Sequence, residues 1–514
     1  MKNKFKHMKK VLIFIGLLSL VLSVSACDSE DRGVPENVMK NRVINITSEV
    51  ISTDYVGNGA QWGGYESTQD WIGSETLSDE DWNTLYQRID FMRPPFLRIM
   101  VNASSYISEG VYNETANSSS LFKMLDYAQS RDIEIAYGEW GHHYSNNNLQ
   151  DIDLDWISQS VKFLNFLVNE KGYSCIKTVN IINEPNGEWS SAKGDYTAWK
   201  NAQSAYLAEM DKYSGLSAVQ LMGPDIAIFN SVSGIDWITN AHHDFDESIG
   251  LYDIHVYPKQ LIVRNGDYTE MLKAYRDVVP NEKKIVLSEI GFKYDEVDYE
   301  LKEANDRAIA NDPYAGDDSN MMIYESFYGT DMADAIMQSM LAGFSGGLVW
   351  DMDDAMYVSP DGNNYNVDKM KRWGFWNILG EEHVGDAADE EIRPFFYPVS
   401  LLCRYFPAGT TIYNVEFANK KGVRAVMGEK DGKYTIAIVN SHYVDYEVEL
   451  KSDFLPKVTL NKYCYEVEEG QAFIGVVDAD GFAVPVEENV VIDFSKGLDM
   501  TLKGESFILY TNME

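Results

Sequence analysis

Cysteine is scarce in this chain, with four residues among 514. Three of them, Cys175, Cys403 and Cys464, lie far apart and show none of the close spacing that metal sites and disulfide frameworks require. We therefore predict that these three are buried apolar residues. The sequence indicates neither zinc nor thiol chemistry, and we expect no metal and no organic cofactor.

Basic residues are also few, because 43 Lys and Arg stand against 80 Asp and Glu, a formal net charge of −37. Such a charge repels polyanions, so nucleic acids and sulfated glycans are unfavourable partners. A neutral polysaccharide meets no such barrier. Aromatic residues make up 13% of the chain, which suits stacking on the C–H faces of sugars but is equally typical of a large buried core.

The start of the chain has the pattern of an export signal. Five lysines precede an apolar stretch at positions 11–24, and Ser25-Ala26 precede Cys27. About 14 apolar residues fall short of the ~20 that span a bilayer, so a signal peptide over residues 1–26 is favoured over a transmembrane anchor. The ending resembles the bacterial lipobox, which implies lipidation of Cys27 and attachment to the outer membrane.

Residues 27–41 follow as an acidic segment that we expect to be a flexible tether. Its Asp28-Ser29-Glu30-Asp31 run resembles the surface-export tags of Bacteroidetes lipoproteins, although an ordinary acidic spacer has the same composition. We expect an outer membrane lipoprotein at the cell surface, with a periplasm-facing orientation as the alternative. Signal cleavage removes five lysines and no acidic residue, leaving a formal charge of about −42. A monomer is expected.

Apolar strand-like segments alternate with amphipathic helical stretches across residues 57–406. The predicted strands are 57–63, 96–101, 133–139, 177–182, 218–222, 251–256, 284–287 and 347–350. The predicted helices between them include 79–91, 121–130, 154–168 and 332–341, where apolar residues recur at every third or fourth position. Eight alternations in roughly 350 residues predict an α/β fold, the (β/α)8 TIM barrel.

Short alternating strands replace this pattern in residues 407–514. Asp431-Gly432 lies between predicted strands 423–427 and 434–439, and a second Asp-Gly turn signal occurs at Asp480-Gly481. We predict a C-terminal antiparallel β-sandwich. Residues 42–56 also alternate and form an N-terminal strand segment that is a candidate to join the sandwich.

Two glutamates close apolar runs in the predicted barrel. Glu184 follows the run at 179–182, and Glu289, 105 residues further along, follows the run at 285–287. About three to four strand-plus-helix units separate them, so both acids can reach one cleft at the carboxyl face of the barrel. Hydrolysis of a glycosidic bond requires two carboxyl groups, one protonated to serve the leaving oxygen and one ionised. Each glutamate alone is typical of a solvated strand end.

Neighbouring residues strengthen the prediction, because polar and aromatic side chains lie at the ends of six predicted strands. They are Arg98 on the second strand, Trp140 and His142 after the third, Asn183 and Glu184 after the fourth, His255 and Tyr257 after the sixth, Glu289 after the seventh, and Trp350 on the eighth. Arg98 is expected to hold a carboxylate ionised. His255 and Tyr257 point the same way because side chains alternate along a strand. Whether His142 or His143 faces the site is left open.

This order of residues resembles the retaining glycoside hydrolases of clan A, whose acid/base follows the fourth strand and whose nucleophile follows the seventh. The resemblance implies that Glu184 is the acid/base and Glu289 the nucleophile. It also implies substrate-binding or supporting roles for Arg98, Trp140, His142, Asn183, His255, Tyr257 and Trp350. The polar pattern is most similar to family five, the cellulase and mannanase group, whereas the trailing sandwich and the strand near residue 42 are similar to families thirty and thirty-nine.

The sequence thus predicts a glycoside hydrolase acting by double displacement on a neutral polysaccharide or its oligosaccharides. The alternative is a carbohydrate-binding surface lipoprotein without turnover, although such a protein has no reason to keep both acids. A structural or adhesive protein that binds through its sandwich is the third interpretation.

Two long loops, 293–323 and 351–393, follow the seventh and eighth strands and are expected to build substrate subsites. The first contains Asp312, Asp317 and Asp318, which could hold calcium, but it lacks the regular spacing of a calcium loop.

Overall fold

The computed structural model describes residues 42–514, except 64, 66–76, 102–106, 109–110, 114–118, 141–142, 146–147, 355–358, 362–363, 367–368, 418–421, 469–470 and 474. The predicted signal peptide, the acidic tether, Cys27 and His142 lie outside the described residues. Within them, no helix is both long enough and apolar enough to cross a membrane. Cys175, Cys403 and Cys464 are buried, as predicted, and form no disulfide with one another.

Eight parallel strands form the barrel. They are Gly57–Ala60, Phe96–Val101, Glu134–Glu139, Ile176–Asn180, Gln220–Ile228, Ile249–Val256, Ile285–Ile290 and Gly346–Val349. From the second strand to the eighth, each strand pairs with the next in chain order, and the eighth pairs with the first. A parallel bridge between Gln61 and Arg98 brings the first and second strands together, so the ring is nearly closed. The predicted (β/α)8 barrel is confirmed.

The barrel interior changes from apolar to polar along the strands. Near its amino end the inward residues are apolar and include Phe96, Leu251 and Val286. Side chains alternate along a strand, so the next inward positions on the same three strands are Arg98, Asp253 and Ser288. All three of these polar residues are fully buried. The apolar layer therefore supports a buried polar layer beneath the carboxyl face of the barrel.

Helices surround the barrel. They are Asp79–Met92, Ser119–Ser130, Leu154–Asn165, Tyr196–Met210, Ile235–Phe245, Gln260–Asn265, Asp267–Arg276, Tyr299–Asn311, Ser326–Leu341 and Phe396–Tyr405. The first begins with a capping box in which Ser78 and Asp81 each accept a hydrogen bond from the other's backbone N–H. The third continues beyond Asn165 as one wider turn, Phe166–Glu170, in the region where the sequence predicts uninterrupted α-helix.

The C-terminal domain is a second sheet. Its strands are Thr411–Phe417, Val423–Lys430, Lys433–Asn440, Tyr446–Ser452, Val458–Glu468, Gln471–Phe473, Glu487–Ile492, Leu498–Leu502 and Ser506–Thr511, joined by the N-terminal strand Val43–Ser52. Short two-stranded pairs, Ile107–Ser108 with Val111–Tyr112, Ser359–Asp361 with Asn364–Asn366, and Val476–Val477 with Ala483–Val484, lie outside both sheets.

The N-terminal strand makes the second sheet mixed. Val43–Ser52 is antiparallel to Thr411–Phe417 on one side and parallel to Tyr446–Ser452 on the other. The sequence predicts an antiparallel sheet. The other strand pairs of this sheet are antiparallel, but the pair formed by Val43–Ser52 and Tyr446–Ser452 is parallel. A strand that enters from the start of the chain is not joined to its neighbours by a hairpin, so its direction is free to match either partner.

The predicted turn at Asp431-Gly432 is confirmed. It joins Val423–Lys430 to Lys433–Asn440, with Lys430 opposite Lys433. Asp431 and Gly432 both have positive φ, 53° and 74°. Two consecutive positive φ angles are typical of the type I′ turn, whose twist matches that of the flanking strands.

Helix Ser326–Leu341 is buried along most of its length and links the two domains. Asp331 on this helix binds Arg264 of the barrel through both carboxylate oxygens, at 2.7 and 3.1 Å. Arg264 also reaches Glu505 of the second sheet at 3.1 Å. One turn along the helix, Asp334 accepts a hydrogen bond from Ser441 at 2.5 Å. Buried charge pairing therefore contributes to the contact between the sheet and the barrel, beside apolar side chains of both domains that form one core.

Candidate active site

Arg98 lies at the centre of the polar layer and has no solvent exposure. Its Nη1 contacts Glu289 at 2.5 Å and Gln61 at 2.8 Å, and its Nη2 contacts Asp225 at 3.0 Å and Asn183 at 2.9 Å. Because the oxygen of the Asn183 amide accepts from Arg98, the amide NH2 is left for a substrate hydroxyl. One guanidinium thus connects residues that lie on, or directly follow, four other strands of the barrel.

His255 is the second cation of the layer and is also fully buried. Burial lowers the pKa of its imidazole, but the charges of Asp225 and Glu289 outweigh burial and raise the pKa well above the ordinary value. The ring is therefore protonated, and both of its nitrogens donate hydrogen bonds. Nε2 donates to Asp225 at 2.8 Å, and Nδ1 faces Glu184 at 3.1 Å and Glu289 at 3.3 Å.

Glu289 extends from the seventh strand into this pair of cations. Tyr257 donates its hydroxyl hydrogen to Oε2 of Glu289 at 2.6 Å, while Arg98 holds Oε1. Burial alone would raise the pKa of Glu289, but the His255 charge, the Arg98 charge and the Tyr257 hydroxyl lower it to about 2. Glu289 is therefore ionised, the form that a carboxylate nucleophile requires.

Glu184 lies nearer the solvent, with 15% of its side chain exposed against 5% for Glu289. Its backbone has a positive φ of 47°, in a tight turn directly after the fourth strand. Oε1 of Glu184 faces the buried His255, and Oε2 accepts a hydrogen bond from the indole Nε1 of Trp189 at 2.5 Å. One oxygen of Glu184 lies within 4.8 Å of one oxygen of Glu289.

Two buried aspartates, Asp225 and Asp253, complete the polar layer. The pKa of Asp225 is lowered, because the charges of Arg98 and His255 outweigh burial. Burial and the charge of Asp225 raise the pKa of Asp253 well above its ordinary value. Asp253 accepts from the Asp225 backbone N–H at 3.0 Å and from the Ser288 hydroxyl at 2.6 Å. The pair thus holds one negative charge, directed at the two cations.

Two groups of described residues have the donor types of a metal site. Glu184, His255 and Glu289 form one, and Asp225, Asp253 and His255 form the other. Both groups include His255, whose nitrogens carry protons, and both adjoin the guanidinium of Arg98. A metal ion would have to compete with two cations already in place, so the arrangement fits charge stabilisation better than metal binding.

Aromatic rings form walls around the two carboxylates. The cavity above them has a volume of about 600 Å³. Trp350 directly follows the eighth strand and meets Trp140 edge to face, with ring centroids 6.4 Å apart. Trp373, from the loop after the eighth strand, meets Tyr257 in the same way at 5.8 Å. Flat apolar faces beside hydrogen-bonding groups are what recognition of a sugar ring requires.

A charged cluster completes one wall. The carboxylate of Asp318 lies 3.0 Å from the Lys371 ammonium and 3.6 Å from the Lys293 ammonium. Burial raises the pKa of Asp318, but the two lysines outweigh burial and lower it. Asp312 of the same loop pairs with Arg372 at 3.0 Å. Two of the three aspartates considered for calcium are thus paired with basic side chains.

The structure brings most of the predicted site residues together. Arg98, Asn183, Glu184, His255, Tyr257 and Glu289 form one network, and Trp140 and Trp350 line the cavity above it. His142 lies outside the described residues. The neighbouring His143 is buried against the Trp156 ring, with centroids 4.3 Å apart, and so has a packing role.

Sequence reasoning missed Asp225, the residue that orients both cations. The predicted fifth strand ends at Met222, because the Gly223-Pro224 pair is typical of a strand end. The structure continues the strand through this pair to Ile228. Asp225 could have been identified from the sequence as an acidic residue directly before the apolar run 226–228.

The aromatic and charged residues contributed by loops were also missed. They are Trp189, Phe229, Lys293, Lys371 and Trp373. They follow no regular pattern along the chain, and only the paths of the loops bring them to the cleft.

No profile of a known protein family matches the chain, and no curated protein matches its sequence. Solved structures do match. A GH30 endoxylanase from Clostridium papyrosolvens C71 has a TM-score of 0.55 at 12% identity, over 91% of this chain and 99% of that chain. An alpha-L-arabinofuranosidase from Thermotoga maritima has a TM-score of 0.61 at 13% identity, over 91% and 99% of the two chains.

A GH39 beta-xylosidase from Caulobacter crescentus gives a TM-score of 0.56 at 9% identity, over 91% of this chain and 99% of that chain. Families thirty and thirty-nine, whose accessory sandwich the sequence resembles, thus both occur among the similar structures. At such low identities the likeness establishes the fold, a (β/α)8 barrel combined with a C-terminal sheet domain.

Proposed function

We propose that this protein is a retaining glycoside hydrolase that cleaves the O-glycosidic bonds of a neutral polysaccharide or its oligosaccharides. The observation that carries the proposal is the pairing of Glu184 and Glu289, whose nearest oxygens lie within 4.8 Å of each other across the cleft. Retention needs carboxyl groups ~5–5.5 Å apart for direct attack on the sugar, whereas inversion needs ~6.5–9.5 Å to admit a water. The contact of both carboxylates with Nδ1 of His255, at 3.1 and 3.3 Å, favours the shorter separation.

The first step forms a covalent bond to the enzyme. Glu289, held ionised by Arg98 and His255, attacks the anomeric carbon. As the bond from that carbon to the leaving oxygen breaks, the oxygen takes a proton from the carboxyl group of Glu184. The Asn183 amide is placed to hold a sugar hydroxyl, and Trp350 offers a face to the ring. The products are a glycosyl ester on Glu289 and a free alcohol.

The second step reverses the roles. Glu184, now a carboxylate, removes a proton from water, and the water oxygen attacks the anomeric carbon. The ester bond breaks and Glu289 leaves as the carboxylate that its surroundings favour. Two inversions at one carbon give net retention. The Arg98 and His255 charges stay fixed throughout, so the site needs little reorganisation when charge moves.

Pentose glycosides are the first substrates to test. Structural neighbours carry the names endoxylanase, beta-xylosidase and alpha-L-arabinofuranosidase. The net charge of −37 and the aromatic cavity walls also suit a neutral sugar.

The decisive experiment combines a substrate screen with labelling of the nucleophile. Purified protein is tested on aryl glycosides and polysaccharides, and a matching fluorosugar inactivator should label Glu289, as located by mass spectrometry. The Glu289→Ala variant should lose turnover and keep its fold, while Glu300→Ala, at an exposed glutamate on helix Tyr299–Asn311, should match the wild type. A label on another residue, or full activity of Glu289→Ala, would refute the assignment.

The carbohydrate-binding lipoprotein remains the alternative function. It predicts that the wild type binds the same polysaccharides without releasing sugar, and that the Glu289→Ala variant binds them equally well. Release of sugar by the wild type excludes it.

We also propose that lipidation of Cys27 anchors a monomeric enzyme to the outer membrane, with its barrel at the cell surface. The support is the sequence of residues 1–31, with its lysines, apolar stretch and acidic segment. The Cys27→Ala variant should leave the membrane fraction and keep its activity on a soluble substrate. Retention in the membrane after carbonate and salt washing would contradict the anchor. Protease treatment of intact cells tests surface exposure, and light scattering of the released protein tests the monomer.

A further inference from the structure

Trp189 combines two properties that rarely occur together. Its side chain is 61% exposed, yet its indole Nε1 donates a hydrogen bond of 2.5 Å to Oε2 of Glu184. It lines the cavity beside Phe229, whose ring it meets edge to face at 6.2 Å. An exposed indole rarely stays in one position without a reason, and here it covers the acid/base of the proposed reaction.

The indole occupies the oxygen that catalysis needs. Oε1 of Glu184 faces the fully buried His255, so Oε2 is the oxygen directed toward the cleft. An N–H donor favours the charged form of a carboxyl group. A general acid must instead carry a proton on the oxygen that meets the leaving group. Glu184 therefore cannot donate its proton while Trp189 is bound to Oε2.

The local structure allows the indole to move. Trp189 packs over Gly187, where an added Cβ would lie 2.3 Å from Cε2 of the indole. The Gly187 N–H donates to the Glu184 carbonyl at 2.9 Å, so the turn itself is held independently of the tryptophan. The indole rests on a glycine and on the edge of Phe229, and leaving this position breaks one hydrogen bond and little packing.

We propose that Trp189 and Phe229 form the subsite for the leaving-group sugar, and that filling this subsite removes the indole from Glu184. The inference rests on the proposed function and extends it. Because Glu184 serves the leaving oxygen, the exposed residues beside Glu184 are those that the leaving group meets. A sugar ring presents a C–H face to the indole. The glycosidic oxygen then takes the place of the indole N–H at Oε2.

This arrangement couples binding to catalysis. In the free protein the Trp189 N–H occupies Oε2 of Glu184, and in the substrate complex that oxygen meets the glycosidic oxygen instead. The pH dependence of kcat/KM reports ionisations of the free enzyme, whereas that of kcat reports those of the enzyme–substrate complex. The alkaline limb of wild-type kcat/KM should therefore lie at lower pH than the alkaline limb of kcat.

The test is the Trp189→Phe variant, which keeps an aromatic face and removes the N–H. The alkaline limb of its kcat/KM profile should move up by about one pH unit, the effect of losing one hydrogen bond to a charged group. The alkaline limb of kcat should stay in place. The substrate is an oligosaccharide that the wild type cleaves, so that the leaving group is a sugar.

Two further variants separate the N–H from the aromatic face. Gly187→Ala should push the indole off Glu184 and move the kcat/KM limb in the same direction as Trp189→Phe. Phe229→Ala lowers the aromatic area of the subsite without touching Glu184. It should raise KM for oligosaccharides several-fold and leave the alkaline limb of kcat in place.

Three results would overturn the proposal. If both limbs move together in Trp189→Phe, the indole stays on Glu184 in the complex. If neither limb moves, the hydrogen bond from Trp189 has no effect on proton donation by Glu184. If the wild type releases no sugar at all, the proposed function fails and this coupling with it, an outcome that the wild-type assay identifies before any variant is made.

Discussion

Tyr257 and Glu289 are joined by a hydrogen bond of 2.6 Å from the phenol hydroxyl to carboxylate Oε2. Burial, reinforced by the charge of Glu289, raises the pKa of Tyr257 well above its ordinary value, so the phenol keeps its proton at working pH. The bond therefore always favours the ionised form of Glu289. It also fixes the position of the carboxylate, which the proposed reaction needs for attack on the sugar.

The first prediction concerns the Tyr257→Phe variant. Glu289 acts as a carboxylate, and its lowered pKa of about 2 means that this form is lost only as the pH falls through that value. Removing the hydroxyl raises the pKa, so the acidic limb of the activity profile should move to higher pH. Loss of a hydrogen bond to a charged group, ~1.5–3 kcal/mol, should lower kcat/KM by roughly 10- to 100-fold.

The control for this variant is Tyr252, on the sixth strand that Tyr257 directly follows. Tyr252 also donates to a carboxylate, that of Asp246 at 2.9 Å, but outside the network around Glu289. Tyr252→Phe should leave the acidic limb unchanged. The role of Tyr257 would be disproved if Tyr257→Phe left the acidic limb in its wild-type position.

The second prediction concerns Asp225→Asn. This substitution removes the charge that Asp225 shares with His255 at 2.8 Å and Arg98 at 3.0 Å, and breaking a buried ion pair costs about 3–5 kcal/mol of unfolding free energy. Because the pKa of His255 is raised in the folded state, its charge stabilises the wild type below the unfolded value of ~6.5. That stability is lost as the pH rises through the folded-state pKa.

The melting temperatures of the wild type and Asp225→Asn should therefore differ most at pH 5–6 and converge at alkaline pH. A smaller difference in melting temperature should remain there, because the variant also lacks the ion pair between Asp225 and Arg98. Asp246→Asn is the matched control, since Asp246 pairs with His242 at 2.9 Å on the surface. An exposed pair of this kind contributes ~0–1 kcal/mol. Equal melting temperatures for the wild type and Asp225→Asn across this range would refute the buried network.

The barrel could be predicted from sequence because parallel strands covered on both faces are nearly continuous apolar runs. The second strand has the predicted bounds, Phe96–Val101, and Arg98 stands out within it as a cation among apolar residues. Residues at strand ends, such as Glu184 and Glu289, were predictable for the same reason. Because the barrel strands follow one another around the ring in chain order, the order of residues in the sequence gives their positions around the cleft.

The remaining features depend on contacts that sequence spacing does not encode. Asp225 follows a proline that normally ends a strand. Trp189 and Trp373 reach the cleft only through the path of their loops. The parallel pairing of Val43–Ser52 joins segments about 400 residues apart.

The third prediction tests Glu184 by chemical rescue. The Glu184→Ala variant should lose most of its activity on oligosaccharides, whose leaving groups need a proton. An activated aryl glycoside needs none, so the glycosyl ester on Glu289 should still form and then accumulate. Azide, which needs no general base, should attack that ester and give a glycosyl azide of retained configuration. Proton NMR of the product identifies the anomer.

The rescue should be specific to the acid/base. Azide should leave the Glu289→Ala variant without a retained product, because no ester forms there. A product of inverted configuration, or no azide product from Glu184→Ala, would show that Glu184 is not the acid/base.

The last prediction concerns the contact between the two domains. Arg264→Ala leaves Asp331 buried without the guanidinium that binds both of its oxygens, and also breaks the link to Glu505. An isolated buried charge is costly, so the unfolding free energy should fall by about 3–5 kcal/mol, measured by urea titration.

The control is Lys302→Ala, which breaks an exposed pair with Asp306 on helix Tyr299–Asn311 and should lower the unfolding free energy by less than about 0.5 kcal/mol. Because Arg264 contacts neither Glu184 nor Glu289, kcat below the unfolding transition should stay near the wild-type value. A loss of stability no larger than that of Lys302→Ala would mean that apolar packing, and not this ion pair, holds the sheet against the barrel.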